Sequence, residues 1–257
     1  VTSSLDRWLT FEGIDNVRDV GGLPVRGGGR TRSGVLLRSA ALRSVTPNDL
    51  ARLVDELGLK LVLDLRSPTE IDRDGPTAVA RAGVETLALN FIGKSREALP
   101  AADETDGQRM VRHYLGYLGD HPENVAEGVR RLAAEDAGPA LVHCAAGKDR
   151  TGVLVAMVLD AVGVERDAVV TDYVLSAEKV EQIFRRRVET LGEEMPENID
   201  RHKPRAETMV AVLDRLDADH ARDAARGGAD GGAAGWMRAN GIDDAAIARL
   251  RERLVDS

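Results

Sequence analysis

The chain has 257 residues, of which 43% are hydrophobic and only 3% aromatic, so it can bury a sizeable core built from Ala, Val and Leu. A formal charge of −8, with 30 arginines among its 35 basic residues, makes it a poor general binder of nucleic acid or anionic membrane and confines anion recognition to a local site. The single cysteine, Cys144, excludes an internal disulfide and a cysteine-based zinc cage, and no apolar run approaches the length of a membrane span.

The first residues carry no signal pattern, so the protein reads as soluble, cytoplasmic or secreted without a recognisable leader. Residues 1–45 form a loop-rich entry in which Pro24 and the glycines of Gly21-Gly22 and Gly27 to Gly29 join short strands by turns. Arg38, in the run Val35 to Ala40, is a candidate for either the pocket or the surface. Thr46-Pro47 opens a helix with Leu50, Leu53, Val54 and Leu57 on one face, and Gly58 stops it. Leu59 to Leu65 is apolar enough to be a central strand of a parallel sheet, and Ser67-Pro68-Thr69-Glu70 is a capping box that starts the next helix. Asp64 therefore stands where a parallel strand ends, the edge at which open α/β sheets place their ligands.

Val84 to Asn90 is a further strand, and residues 93–107 are polar and irregular, a candidate mobile loop near the site. Met110, Val111, Tyr114, Leu115 and Leu118 have helical spacing, with Tyr114 and Tyr117 as packing residues; Val125, Val129 and Leu132 mark the next helix, capped by Asp120. Then comes the most informative stretch. Ala140 to Val142 is a buried strand, a loop of small and polar residues follows, and Val153 to Val162 is a helix apolar on most sides. A strand that feeds a short loop into a helix N-terminus aims unpaired amides and the helix dipole at one point, an anion site. Cys144 lies at its mouth and Arg150 follows after five residues. The pattern suits a thiolate nucleophile, three phosphoryl oxygens held by Arg150 and the loop amides, and a hydroxyl on Thr151 that assists departure of the sulfur.

Beyond Val162 the pattern is helical: Val169, Val170 and Tyr173, then Val180, Ile183, Phe184, Val188 and Leu191, then Met209, Val212, Leu213 and Leu216. Arg185-Arg186-Arg187 reads as a solvated helix face, with recruitment of phosphorylated ligands as the alternative. Residues 227–235 read as a flexible Gly/Ala stretch, since no strand precedes them, and a tail helix at about 242–255 should dock through Ile247, Leu250 and Leu254.

The segment His143-Cys144-Ala-Ala-Gly147-Lys148-Asp149-Arg150-Thr151-Gly152 resembles the Cys-x5-Arg-Thr/Ser signature of the protein tyrosine phosphatase superfamily, in a form similar to bacterial tyrosine and dual-specificity enzymes. Asn16-x-Arg18-Asp19-x-Gly-Gly followed by Arg38-Ser-Ala, and Asp64-Leu-Arg66, resemble two further blocks of that family. The resemblance implies one phosphatase domain over 1–257. Its fold would be α/β, a central largely parallel sheet flanked by helices (the cysteine phosphatase fold), with a C-terminal helical lid at about 165–203. It implies a metal-independent reaction without cofactor, in which Cys144 is phosphorylated and Arg150 and Thr151 assist. The leaving oxygen is protonated by Asp64 first or Asp149 second, because the tryptophan-proline-aspartate acid loop of ordinary tyrosine phosphatases is absent around Trp8 and Trp236. Substrate contacts are then expected from His143, Ala145, Ala146, Gly147, Lys148, Asp149, Arg150, Arg66 and Arg38. The implied partners are phosphoproteins or phosphoinositides, with neither nucleic acid nor an integral membrane segment; the Lys148-Asp149 pair also resembles loops of lipid phosphatases, so the substrate stays open, as does the oligomeric state. Sulfur transfer of the rhodanese kind and a non-catalytic phospho-ligand module are the rival readings.

Overall fold

The computed structural model describes residues 7–96, 103–225 and 231–256. Strands β1 (Arg18–Asp19), β3 (Leu36–Ser39), β4 (Leu61–Asp64), β5 (Glu85–Ala88) and β6 (Ala140–His143) make one sheet in the order β1-β3-β6-β4-β5. Only the β1–β3 pair is antiparallel, so the sheet is largely parallel. β2 (Arg30–Thr31) pairs with β7 (Val255–Asp256), tying the entry to the end of the chain.

The strand pattern divides the core by simple alternation. Leu61, Leu63, Ala140 and Val142 face one apolar cluster, while Val62 and Leu141 face the other. The larger cluster takes helices α4 (Asp106–Asp120), α5 (Pro122–Leu132), α6 (Asp149–Ala161), α9 (Ala206–Ala225), α10 (Gly232–Ala239) and α11 (Asp244–Leu254). The smaller takes Phe11, Ile14 and Val17 from the entry, with the short helices α1 (Pro47–Ala51) and α3 (Ala78–Arg81) nearby. α2 (Pro68–Asp74) follows β4, and α7 (Arg166–Leu175) and α8 (Val180–Leu191) follow α6. α6 is buried from Arg150 to Ala161, the consequence of a helix apolar on nearly every side.

Several elements depart from the sequence reading. The helix after Thr46 widens into a π-helical turn over Arg52–Glu56 before Gly58. Asp120 does not cap α5: it ends α4 and accepts hydrogen bonds from Ser95 N (2.9 Å) and Ser95 Oγ (2.6 Å), a contact open because Gly93 and Gly116 carry no Cβ there. Within the expected 93–107 loop, Lys94–Arg96 is a 3-10 turn and Glu104 is paired with Arg112 at 2.8 Å, while 97–102 lie outside the described residues. Of the supposed flexible stretch at 227–235, residues 227–230 lie outside the described residues and 232–235 open α10, whose Ala233 amide donates to buried Asp160. Among the described residues no helix is long and apolar enough to cross a membrane.

Candidate active site

Strand register assembles the site. β6 is central, and its last residue, His143, pairs with Ser39 of β3 on one side and Asp64 of β4 on the other. Cys144 follows at once, 2% exposed, at the base of a loop that ends in α6. Every loop carbonyl from Cys144 to Lys148 has a donor. His143 Nδ1 lies 3.3 Å from Cys144 O, Ala41 N donates to Ala145 O at 3.2 Å, and Gly152 N donates to Lys148 O at 2.9 Å. Asn16 Nδ2 donates to both Ala146 O and Gly147 O at 3.0 Å, and Arg38 Nη2 donates to Gly147 O at 3.1 Å. In a trans peptide the carbonyl of one residue and the N–H of the next point in opposite directions. With the carbonyls turned to the scaffold, the amides of residues 145–149 are turned away from it, the arrangement an anion needs. No side chain caps α6, unlike α1 and α2, so its first donors are not taken by a cap.

Gly147 makes the turn feasible. Its φ is +65°, and a Cβ there would stand 2.1 Å from Ser39 O.

A buried cluster braces the loop from behind. Asp172 of α7 accepts from Arg38 (2.6 Å), Arg7 (2.8 Å) and Arg18 (3.2 Å), and Arg18 in turn holds Asn16 Oδ1 at 2.7 Å and Ser176 Oγ at 3.0 Å. Burial, and then the neighbouring Arg38, bring the Arg18 guanidinium down to about 9. Burial alone would raise Asp172, but the three guanidiniums hold it far below the usual carboxylate range. The sequence reading named Asn16, Arg18 and Arg38 but missed Asp172; an aspartate inside an otherwise apolar helical stretch was the available signal.

Arg150 is almost fully buried and faces Glu70 through two hydrogen bonds, Nη1 to Oε2 at 2.6 Å and Nη2 to Oε1 at 2.9 Å, with a third to Leu65 O at 3.1 Å. Burial opposes its charge, yet nearby Cys144 and then Glu70 raise it above the ordinary guanidinium value. The same Glu70 closes the capping box of α2, accepting from Ser67 N at 2.8 Å. Thr151 Oγ1 is buried with no hydrogen-bond partner.

The two candidate acids sit differently. Asp64 is clasped by Arg66, which donates Nη2 to Oδ2 at 2.6 Å and Nε to Oδ1 at 2.9 Å and also binds Asp74 at 2.7 Å. Burial pushes the Asp64 carboxyl up, but His143 and Arg66 outweigh it and hold it below the usual range. Because burial also lowers His143, the Arg66 contribution is the one that persists at neutral pH. Arg66 itself is 1% exposed, its guanidinium taken up by these two carboxylates. Asp149, by contrast, lines an open cavity of about 400 Å³ together with Lys148, Tyr114 and Tyr173, and that cavity is rimmed by Arg109, Arg201 and Arg205.

The helices after α6 flank the loop. Lys148 Nζ donates to His202 O on one side, and Ile183, Arg186 and Arg187 of α8 face Ala145 across a narrow cleft on the other. The arginine triplet is therefore not simply a solvated face: Arg186 pairs with Asp15 at 2.6 Å and Arg187 with Glu193 at 2.7 Å, while Arg185 alone stays exposed, paired with Glu181.

A central parallel strand, a cysteine loop whose carbonyls are turned into the scaffold and an apolar helix behind it define the cysteine phosphatase class of α/β folds. Sequence comparison agrees: the chain belongs to the tyrosine phosphatase family, whose model matches residues 9–256. It is 29% identical to triple specificity protein phosphatase PtpB of Mycobacterium tuberculosis, covering 87% of this chain and 92% of that one. It is 28% identical to a tyrosine-protein phosphatase of Nostoc commune, covering 86% of this chain and 80% of that one. A Cupriavidus necator protein named as a tyrosine-protein phosphatase is 34% identical over 66% of this chain, a match that spans 63% of the relative's own length.

Proposed function

We propose that this protein is a metal-independent phosphatase that hydrolyses phosphotyrosine through a phosphorylated Cys144. The observation that carries the reading is the loop after Cys144, whose Ala145, Ala146 and Gly147 carbonyls are taken by Ala41, Asn16 and Arg38 of the scaffold, with Arg150 held at its far end by Glu70. The Cys144 thiolate attacks phosphorus in line while Arg150 and the amides of residues 145–149 hold the equatorial oxygens. Asp149 protonates the departing oxygen, and the same carboxylate then takes the proton of the water that cleaves the sulfur–phosphorus bond. Thr151, with its hydroxyl uncommitted, donates to the sulfur as it leaves. Asp149 is favoured over Asp64 because it opens on the cavity, whereas Arg66 keeps Asp64 ionised and engaged.

A second reading, phosphoinositide hydrolysis at the same site, is favoured by one feature. The cavity beside Asp149 is rimmed by Arg109, Lys148, Arg201, Lys203 and Arg205, and although Asp106 pairs with Arg109 and Arg201 the cations outnumber the carboxylates, which suits a leaving group with further negative charge. The relative named a triple specificity phosphatase is compatible with either. Initial rates on a phosphotyrosine peptide, a phosphoserine/threonine peptide and a phosphoinositide separate these, each with a Cys144→Ser control. Hydrolysis that survives Cys144→Ser overturns the nucleophile, and turnover of thiosulfate without phosphatase activity turns the assignment to sulfur transfer.

A further inference from the structure

Two tyrosines that the sequence places in the core make polar contacts at the loop. Tyr114 of α4 and Tyr173 of α7 are each 1% exposed, and their hydroxyls lie 2.8 Å apart with the rings edge to face. The Tyr114 hydroxyl donates to Asp149 Oδ1. Tyr173 reaches this position because residue 152 is glycine; a Cβ there would stand 2.8 Å from its ring. Burial, followed by the charge of Asp149, raises both phenols, so both keep their protons at neutral pH.

These contacts have a direction. The Tyr114 hydroxyl has a single proton and gives it to Asp149, so Tyr173 is the donor between the two hydroxyls. Oδ1 of Asp149 is thus occupied, and Oδ2, 3.5 Å from Lys148 Nζ, is the oxygen left to face the cavity.

Resting on the reading of Asp149 as the acid, we infer that Tyr114 is its positioning residue: backed by Tyr173, it holds Oδ1 so that Oδ2 carries the proton to the leaving oxygen. The other charges facing this cavity are Lys148 on the loop, Asp106 and Arg109 on α4, Arg201 and His202 on the 3-10 turn Ile199–His202, and Lys203 and Arg205 after it. All of them remain in a Tyr114→Phe protein, so the comparison isolates one hydroxyl.

The test measures kcat for aryl phosphates whose leaving groups range from p-nitrophenol to phenol. Wild type, Tyr114→Phe, Tyr173→Phe and Asp149→Asn are compared, with thermal melts to confirm folding. For Tyr114→Phe the expected result is a loss of about ten- to a hundredfold on phenyl phosphate and a smaller one on p-nitrophenyl phosphate. Tyr173→Phe should show the same leaving-group dependence with a smaller loss. A folded Tyr114→Phe protein with equal losses on all leaving groups overturns the inference while leaving the acid in place, provided Asp149→Asn still steepens the leaving-group dependence. If Asp149→Asn shows no such steepening, it is the acid assignment that fails, and the inference with it. Should Tyr114→Phe not fold, the leaving-group dependence of Tyr173→Phe decides: a steeper dependence supports the chain of donors and an unchanged one overturns it.

Discussion

Arg150 and Glu70 stand 80 residues apart in sequence and meet through two hydrogen bonds of 2.6 and 2.9 Å, so the guanidinium that closes the Cys144 loop is aimed by the first turn of another helix. The pair couples a helix cap to the site, because Glu70 also closes the α2 capping box. Glu70→Gln keeps a cap acceptor but removes the charge. It should lower kcat/KM by about ten- to a hundredfold through a misaimed Arg150, a scale set by the cost of small misplacements at reacting centres. Steady-state kinetics with a melting curve check this: the loss should exceed what the stability change explains.

The same pair sets an acid limit. Burial pushes Glu70 up, yet Arg150 and Ser67 hold it at about 2 against the ordinary 4.5. A carboxyl lowered on folding contributes stability that is complete above its ordinary value and is lost as pH falls through the folded one. Denaturant unfolding should therefore weaken between about pH 5 and pH 2 by at most about 3 kcal/mol from this group, and Glu70→Gln should flatten that portion of the curve.

Asp172 is the shared counter-charge of Arg7, Arg18 and Arg38, all three of them buried. Asp172→Asn leaves those guanidiniums without their shared counter-charge in the interior. The expected cost is about 3–5 kcal/mol, read by chemical denaturation, with a rise in the inhibition constant of inorganic phosphate because Arg38 no longer steadies Gly147 O.

Gly147→Ala brings a Cβ to 2.1 Å from a strand carbonyl at φ +65°. Backbone must move, so the loop loses its shape. Activity should fall at least a hundredfold and stability by more than about 2 kcal/mol, whereas Gly107→Ala, whose Cβ meets only open space and a cap hydroxyl at 4.0 Å, should leave the melting temperature within a few degrees.

Cys144→Ser should remove at least about a thousandfold of the hydrolysis while orthovanadate or inorganic phosphate still binds, since the amides and Arg150 remain. Isothermal titration beside a p-nitrophenyl phosphate assay gives both readouts.

Much of this site is visible in the chain because its elements are local. Short apolar runs specify β4 and β6, the Ser67 capping box and the Thr46-Pro47 cap specify where α2 and α1 begin, and the Cys144-to-Thr151 motif places cysteine, glycine and arginine within one loop. Partners across the fold are another matter. That Arg66 would be spent on Asp64 and Asp74, that Asp172 would gather three arginines, that Asp120 would hold Ser95 rather than cap a helix, and that Tyr114 would reach Asp149 all depend on which side chains the sheet register and helix docking bring within 3 Å. Periodicity records which face of an element is apolar, and short-range motifs record the chemistry a loop can hold. Neither encodes distance between remote residues; only the packed sheet, with β6 between β3 and β4, decides which carboxylate is neutralised and which opens on the cavity.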